Sequence, residues 1–259
     1  MSTFKIASAA AAAIGLAYWL RRQQQERVVY TLHVYDHCPF CNRVEWLMGH
    51  FGLKYKRVLY GYGAGAKPEK CEGHGYGVGP VPLTGKKMLP VLEGPGVPRE
   101  EGASGMPESM EICAFLIGQH QLVAPCESGR ADVKKYTADL TALKPELVED
   151  RMVRMPILDW ADTRDVHYRR WKKKLPLDPP PVVPQPERVA ALNAKLAELP
   201  ALLKGRGCLN EWGWGIDDVM LLPQLRAFTV VKGAIFPPAV AAYMNIEGTQ
   251  MVDYRAHAV

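Results

Sequence analysis

Cysteine is scarce in this chain: six in 259 residues, with only Cys38 and Cys41 close together. Six is too sparse for the disulfide framework of a small secreted scaffold, and one Cys-x-x-Cys pair points to chemistry in a reducing compartment. A large charge excess is also missing. The formal net charge is +5, part of it in Arg21-Arg22 and part in the run Arg169-Arg170-Trp171-Lys172-Lys173-Lys174. That run reads as the solvated face of a helix. No interleaved aromatics recur to make a single-strand platform, so nucleic acid is not an expected partner. A bilayer-length apolar run is absent too. Ile6 to Leu20 is fifteen residues of apolar or small character, about 22 Å of helix against a hydrocarbon core of about 30 Å.

That short run still carries a signal. Tyr18 and Trp19 sit at its end and Arg21-Arg22 follow, as in a signal anchor that leaves the rest of the chain on the cytosolic side, with membrane contact through residues 6–20. No acidic residue precedes Glu26, which equally suits a cleaved mitochondrial or chloroplast targeting peptide. Residues 1–27 are therefore set apart from the fold.

What remains has 48% hydrophobic residues over the whole chain, enough for two modest domains with ordinary cores. Val28 to Tyr35 is β-branched and aromatic, and predicts a buried strand. Pro39 to His50 predicts a helix, with Val44, Leu47, Met48 and Phe51 at helical spacing and Gly49 and Gly52 closing it. Lys54 to Tyr60 reads as a second strand. Residues 61–85 are rich in glycine and read as a flexible loop; its Gly61-Tyr62-Gly63-Ala64-Gly65-Ala66 lacks the last glycine of a dinucleotide fingerprint. Met88 to Glu93 predicts a strand interrupted by Pro90, at an edge or a special turn. A helix is expected from Pro107 to Gln119. This order, strand–helix–strand–loop–strand–helix, is that of an α/β thioredoxin-like domain over 28–121. From 122 to 259 the pattern is all-helical. Val189, Leu192, Leu196, Leu199 and Leu203 form one apolar stripe, and Val219, Leu222, Leu225 and Phe228 form another. The proline-rich stretch Pro176 to Pro186 must be a loop.

The chemistry gathers at Cys38-Pro39-Phe40-Cys41. A sulfur at a helix N-terminus faces unpaired N–H groups and the positive end of the helix dipole, so thiolate is favoured over thiol. Cys38 is the expected nucleophile. Cys41, one turn later, is placed to attack a mixed disulfide on Cys38. His37 either adds positive charge beside the sulfur or is an exposed bystander. Half a zinc site is the alternative, but Cys71 and His74 are the nearest substitutes for the missing ligands and they lie in the glycine-rich loop. No metal is expected. Cys113, among Ile112, Phe115 and Leu116, reads as a buried inert thiol; Cys126 and Cys208 carry no assignment. A cis Leu89-Pro90 bond would put backbone polar groups beside Cys38 without a competing side chain. Glu108 and Ser109, at a helix start, suit the amine and carboxylate of a γ-glutamyl group, although the same residues also make an ordinary helix start.

YDHCPFCNRV, KMLPVLE and MPESMEI, in that order, resemble the glutaredoxin 2 family, the large glutaredoxins shaped like glutathione transferases. LNEWGWGIDDVMLLPQLRAFTVVKG looks like that family's closing helix, and the resemblance covers about residues 30–250. It implies a thioredoxin-like domain joined to a helical one, with glutathione as cofactor. It also implies glutathionylated or disulfide-containing proteins as partners of a monomeric oxidoreductase. By position, Cys38 and Cys41 match the redox pair, Leu89 and Pro90 the cis-proline strand, and Glu108 and Ser109 the γ-glutamyl clamp. Lys87 matches a basic position that meets a glutathione carboxylate. The chain departs from the family pattern in its loop at 61–85, its proline-rich loop near 180 and its N-terminal extension. A glutathione transferase or isomerase on the same fold is the rival enzyme, and a membrane-associated scaffold the non-catalytic rival. The first has no need of Cys41, and the intact Cys-Pro-Phe-Cys argues against the second.

Overall fold

The computed structural model describes residues 29–122, 129–205 and 207–259. The expected anchor or targeting segment and Cys126 lie outside them. Among the described residues no helix is long and apolar enough to cross a membrane.

The first half is built on β1 (Tyr30–Val34), α1 (Pro39–His50), β2 (Tyr55–Leu59), β3 (Val91–Glu93), β4 (Met106–Pro107) and α3 (Ser109–His120), with a single helical turn, α2 (Val81–Thr84), before β3. The sheet order is β2-β1-β3-β4. β1 runs parallel to β2 through the α1 crossover and antiparallel to β3, with Leu32 opposite Leu92. β1 alternates: Tyr30, Leu32 and Val34 share the face that packs on the helices, and Thr31 and His33 point to the other. Leu32 and Val34 are fully buried with Val44, Leu47 and Met48 of α1 and Ile112 and Leu116 of α3.

The second half comprises α4 (Ala131–Ala142), the short helices α5 (Lys144–Leu147) and α6 (Glu149–Met152), α7 (Thr163–Lys172), α8 (Pro186–Leu202), α9 (Ile216–Ala227) and α10 (Pro238–Tyr243). Leu192, Leu196 and Leu199 of α8 meet Leu222 and Leu225 of α9 in its core, as their spacing predicts. The halves interlock at α1, which packs against α9. Trp46 of α1 enters the helical core, and Val219 of α9 enters the α/β core.

Three expectations are corrected. The strand expected over Met88–Glu93 is confined to Val91–Glu93, because Pro90 has no N–H to give the ladder and the Leu89-Pro90 bond is cis. The next helix begins at Ser109, and Pro107 sits instead in the edge strand β4, where a missing donor costs the sheet nothing internal. The glycine-rich segment 61–85 is an ordered platform. Gly63 N–H and Tyr76 O–H both donate to Asp165 Oδ1 of α7, at 2.6 and 2.8 Å, and Gly65 N–H donates to the Tyr76 carbonyl at 2.8 Å. A Cβ at Gly61 would lie 2.2 Å from the Tyr76 hydroxyl, and one at Gly79 would lie 2.4 Å from the Ala64 backbone. Glycine serves close approach there, not mobility.

Candidate active site

A cleft of about 510 Å³ separates the two halves. Its near wall comes from the α/β half: Cys38, Lys87, Leu89, Pro90, Glu108 and Ser109 all border it. Every residue expected from the sequence to act therefore faces this cleft except Cys41, which lies buried one turn behind Cys38.

Cys38 is the N-cap of α1, with Pro39 in the first turn and no acidic residue there. It is half-buried, and neither it nor Cys41 is in a disulfide. The hydrogen bond from the Cys41 thiol holds Cys38 below the usual thiol range. The backbone N–H groups of Cys41 and Phe40 add to this, against the opposing pull of burial and of Asp159. Burial drives Cys41 the other way, well above the usual range, and the neighbouring sulfur pushes it further. One pair of identical side chains is thus divided: Cys38 is shifted toward the thiolate and Cys41 toward the thiol.

His37 plays neither expected part. It is buried, and its Nδ1–H donates to Asp159 at 2.6 Å. Burial lowers its pKa, so the ring is neutral at pH 7 and lends Cys38 no positive charge. Its job is mechanical. Asp159, fully buried in a helical turn of the second half, accepts from the backbone N–H groups of Asp36 and His37 at 3.0 and 2.8 Å as well as from the ring. Trp160 and Tyr62 pack on the imidazole with ring centres 4.5 and 4.9 Å away. A carboxylate of the helical half thereby pins the turn that delivers Cys38.

Behind that turn lies a buried ionic cluster. Arg226 of α9 bonds the Asp36 carboxylate at 2.5 Å, Arg57 of β2 pairs with it at 2.6 Å, and the Tyr254 hydroxyl donates to it. Burial alone would raise Asp36, but the two arginines hold it at about 2. Glu45 of α1 pairs with Arg57 at 2.8 Å, yet its complete burial pushes it up to about 7.

Lys87 lies inside a cage of three tyrosines, its ammonium 5.0 Å from the ring centres of Tyr35, Tyr62 and Tyr168. It donates to the Tyr35 hydroxyl at 2.7 Å and the Tyr62 carbonyl at 2.6 Å. Burial first, then Lys172, lowers its pKa to about 8. Ser109 is buried as the first residue of α3 and takes a long contact, 3.5 Å, from Arg43 of α1. Glu108 before it holds a left-handed φ of 71°, a conformation that costs a non-glycine residue about 1–3 kcal/mol. Cys71 donates to the Lys67 carbonyl at 3.1 Å, and the His74 ring packs edge-on against His167. Burial pushes Cys113 up to about 12, the state of an inert thiol.

The far wall comes from the helical half, and the sequence reading missed it. Lys144 of α5, Glu149 of α6, and Tyr168, Arg169, Lys172 and Lys173 at the end of α7 border the cleft. Only the charge run signalled it, and that run is not simply a solvated face. Arg170 is buried against Asp150, which turns Arg169 and Lys172 toward Cys38. Asp159 gave no sequence signal at all, since its partners lie more than 120 residues away.

Residues 132–251 match the family described as Glutaredoxin 2, C terminal domain. Among solved structures, glutaredoxin 2 from Salmonella typhimurium, in complex with glutathione, is similar over 89% of this chain and 99% of its own, with a TM-score of 0.68 and 18% identity. A trimeric glutathione transferase from Leishmania is similar over 89% of this chain and 46% of its own (TM-score 0.44, 17% identity). Dehydroascorbate reductase from Chlamydomonas reinhardtii is similar over 88% and 91% (TM-score 0.42, 20% identity). No curated protein sequence matches the chain.

Proposed function

We propose that this chain is a glutathione-dependent thiol–disulfide oxidoreductase acting through Cys38, a reading supported by the match of residues 132–251 to the Glutaredoxin 2 C-terminal family and by the likeness of the fold to glutaredoxin 2. The observation that carries the reading is the division of the pair: a half-exposed sulfur favoured as thiolate at a helix N-terminus, with a buried protonated thiol behind it. The glutathione complex of the Salmonella relative supports the choice of thiol.

In the proposed reaction the Cys38 thiolate attacks the glutathione sulfur of a protein–glutathione mixed disulfide. The old S–S bond breaks, the protein leaves as a thiolate that takes up a proton, and glutathione is carried on Cys38. A second glutathione thiolate then attacks the carried glutathione sulfur, releasing glutathione disulfide and the Cys38 thiolate. Cys41 offers a second exit by attacking Cys38 and expelling glutathione; its burial, which raises its pKa, works against that exit and favours the single-cysteine route.

Ser109, at the head of a twelve-residue helix, suits the γ-glutamyl carboxylate with its N–H and hydroxyl, and Glu108 suits the amine. The backbone of Leu89 and Pro90 lines the path of the cysteinyl residue. Lys87 offers a glutathione carboxylate its charge more than a free bonding geometry, since two of its donors are committed to Tyr35 and Tyr62. The test is glutathione-coupled reduction of a small mixed disulfide by the full chain. Turnover that disappears in Cys38→Ser and persists in Cys41→Ser is the expected result. Turnover that survives Cys38→Ser would point to a transferase, and its absence from the unaltered chain would remove the reading.

A further inference from the structure

The far wall of the cleft has a charge that the reaction at Cys38 does not require. Four cations, Lys144, Arg169, Lys172 and Lys173, share it with one carboxylate, Glu149, a balance of +3 at neutral pH. Glu149 is already consumed. Arg169 grips it with three bonds, at 2.8, 3.1 and 3.3 Å, and Lys173 stands 3.6 Å away. The other nearby acids are engaged too: Asp150 with Arg170, Asp165 with the 61–85 platform, and Asp159 with His37. Lys172 is exposed and bonded to no carboxylate among the described residues. It lies 5.9 Å from the Tyr62 ring centre and is close enough to Lys87 to depress it. Like charges have been collected on one face of a cleft whose opposite face holds the nucleophile.

We propose that this wall selects the protein half of the mixed disulfide, favouring glutathionylated cysteines set among aspartate and glutamate residues. The proposal rests on the glutathione reading above. If glutathione lies along the near wall at Leu89 and Ser109, the disulfide it shares projects from Cys38 toward α6 and α7, and the substrate chain must leave past Lys172 and Lys173. A cleft lined by one sign of charge between low-dielectric walls concentrates its field on what passes through. The field reaches about 8 Å at physiological ionic strength, far enough to sense residues flanking the target cysteine. The covalent step is unchanged: the Cys38–glutathione bond forms, the peptide–glutathione bond breaks, and the peptide thiolate is protonated on release.

Three nonapeptides bearing one glutathionylated cysteine, flanked by acidic, neutral or basic residues, test this with the full-length protein. The readout is the ratio of kcat/KM for the acidic over the basic peptide, in which changes to the basal chemistry cancel. The expected ratio is about thirtyfold at low salt, falling to within about threefold at 0.5 M sodium chloride. In Lys172→Glu/Lys173→Glu the ratio should fall below one, and in Lys172→Gln/Lys173→Gln it should fall partway. Circular dichroism checks that both variants are folded. A ratio near one in the unaltered protein, or a ratio undiminished in both variants, overturns the proposal. So does a rise in KM for glutathione with the peptide ratio intact, which would assign the wall to the second glutathione. Absence of turnover on all three peptides and on a small mixed disulfide would instead remove the underlying glutathione reading, and this proposal with it.

Discussion

The two walls of the cleft are built on different physical plans. The near wall presents a sulfur, a serine and main-chain groups at strand ends and helix starts, all fixed by the sheet and by α1 and α3. The far wall presents long cationic side chains from short helices and from the last turn of α7. Thiol exchange needs atoms placed to a fraction of an ångström, and rigid backbone supplies that. Choosing among charged partners needs only a field, and flexible lysines supply that. The walls meet at Asp159, where a carboxylate of one half holds the turn that carries the nucleophile of the other.

Substitutions can break each part of this arrangement separately. The largest effect belongs to the near wall: Cys38→Ser should lower glutathione-coupled turnover by at least about a thousandfold, because the other cysteines among the described residues are buried, while Cys41→Ser keeps at least about a third of it. Next comes the pin. Asp159→Ala leaves three buried N–H donors without their acceptor and should cost about 3 kcal/mol in urea unfolding. Asp159→Asn should be milder and should lower the Cys38 pKa, since an anion that opposes the thiolate is removed. Within the proposed glutathione site, Ser109→Ala should raise KM for glutathione about tenfold with kcat nearly unchanged, the pattern of a lost uniform-binding contact. The smallest effect lies behind the near wall. Glu45 titrates near 7 when folded, above its ordinary 4.5, so its contribution to stability is full below pH 4.5 and is lost as pH rises through 7. Glu45→Gln should flatten the decline in thermal midpoint between pH 5 and 8.

Legibility in the sequence follows the same division. Cys-Pro-Phe-Cys after an apolar strand is a local pattern, so strand, helix start and nucleophile could be read together. Leu89-Pro90 and Glu108-Ser109 were read by their likeness to a known family. The far wall could not be read, because the face that α7 turns to the cleft is set by Arg170 burying itself against Asp150 and by Asp165 holding the 61–85 platform. Both partners are distant in sequence. His37 misled for the same reason: its charge state is decided by burial against Asp159, 122 residues away. The glycines at 61 and 79 suggested mobility, whereas contacts invisible in the sequence demand a residue with no side chain. Lys87 was expected to meet a glutathione carboxylate; the three tyrosines that surround it come from three separate segments and left no sign in the sequence.

Thiolate absorbance near 240 nm, followed against pH in the reduced full chain, reaches the central claim most directly. The account predicts a step with its midpoint below that of an ordinary free thiol, and missing from Cys38→Ser. A midpoint at or above about 8.5, or a step that persists in that variant, would contradict it.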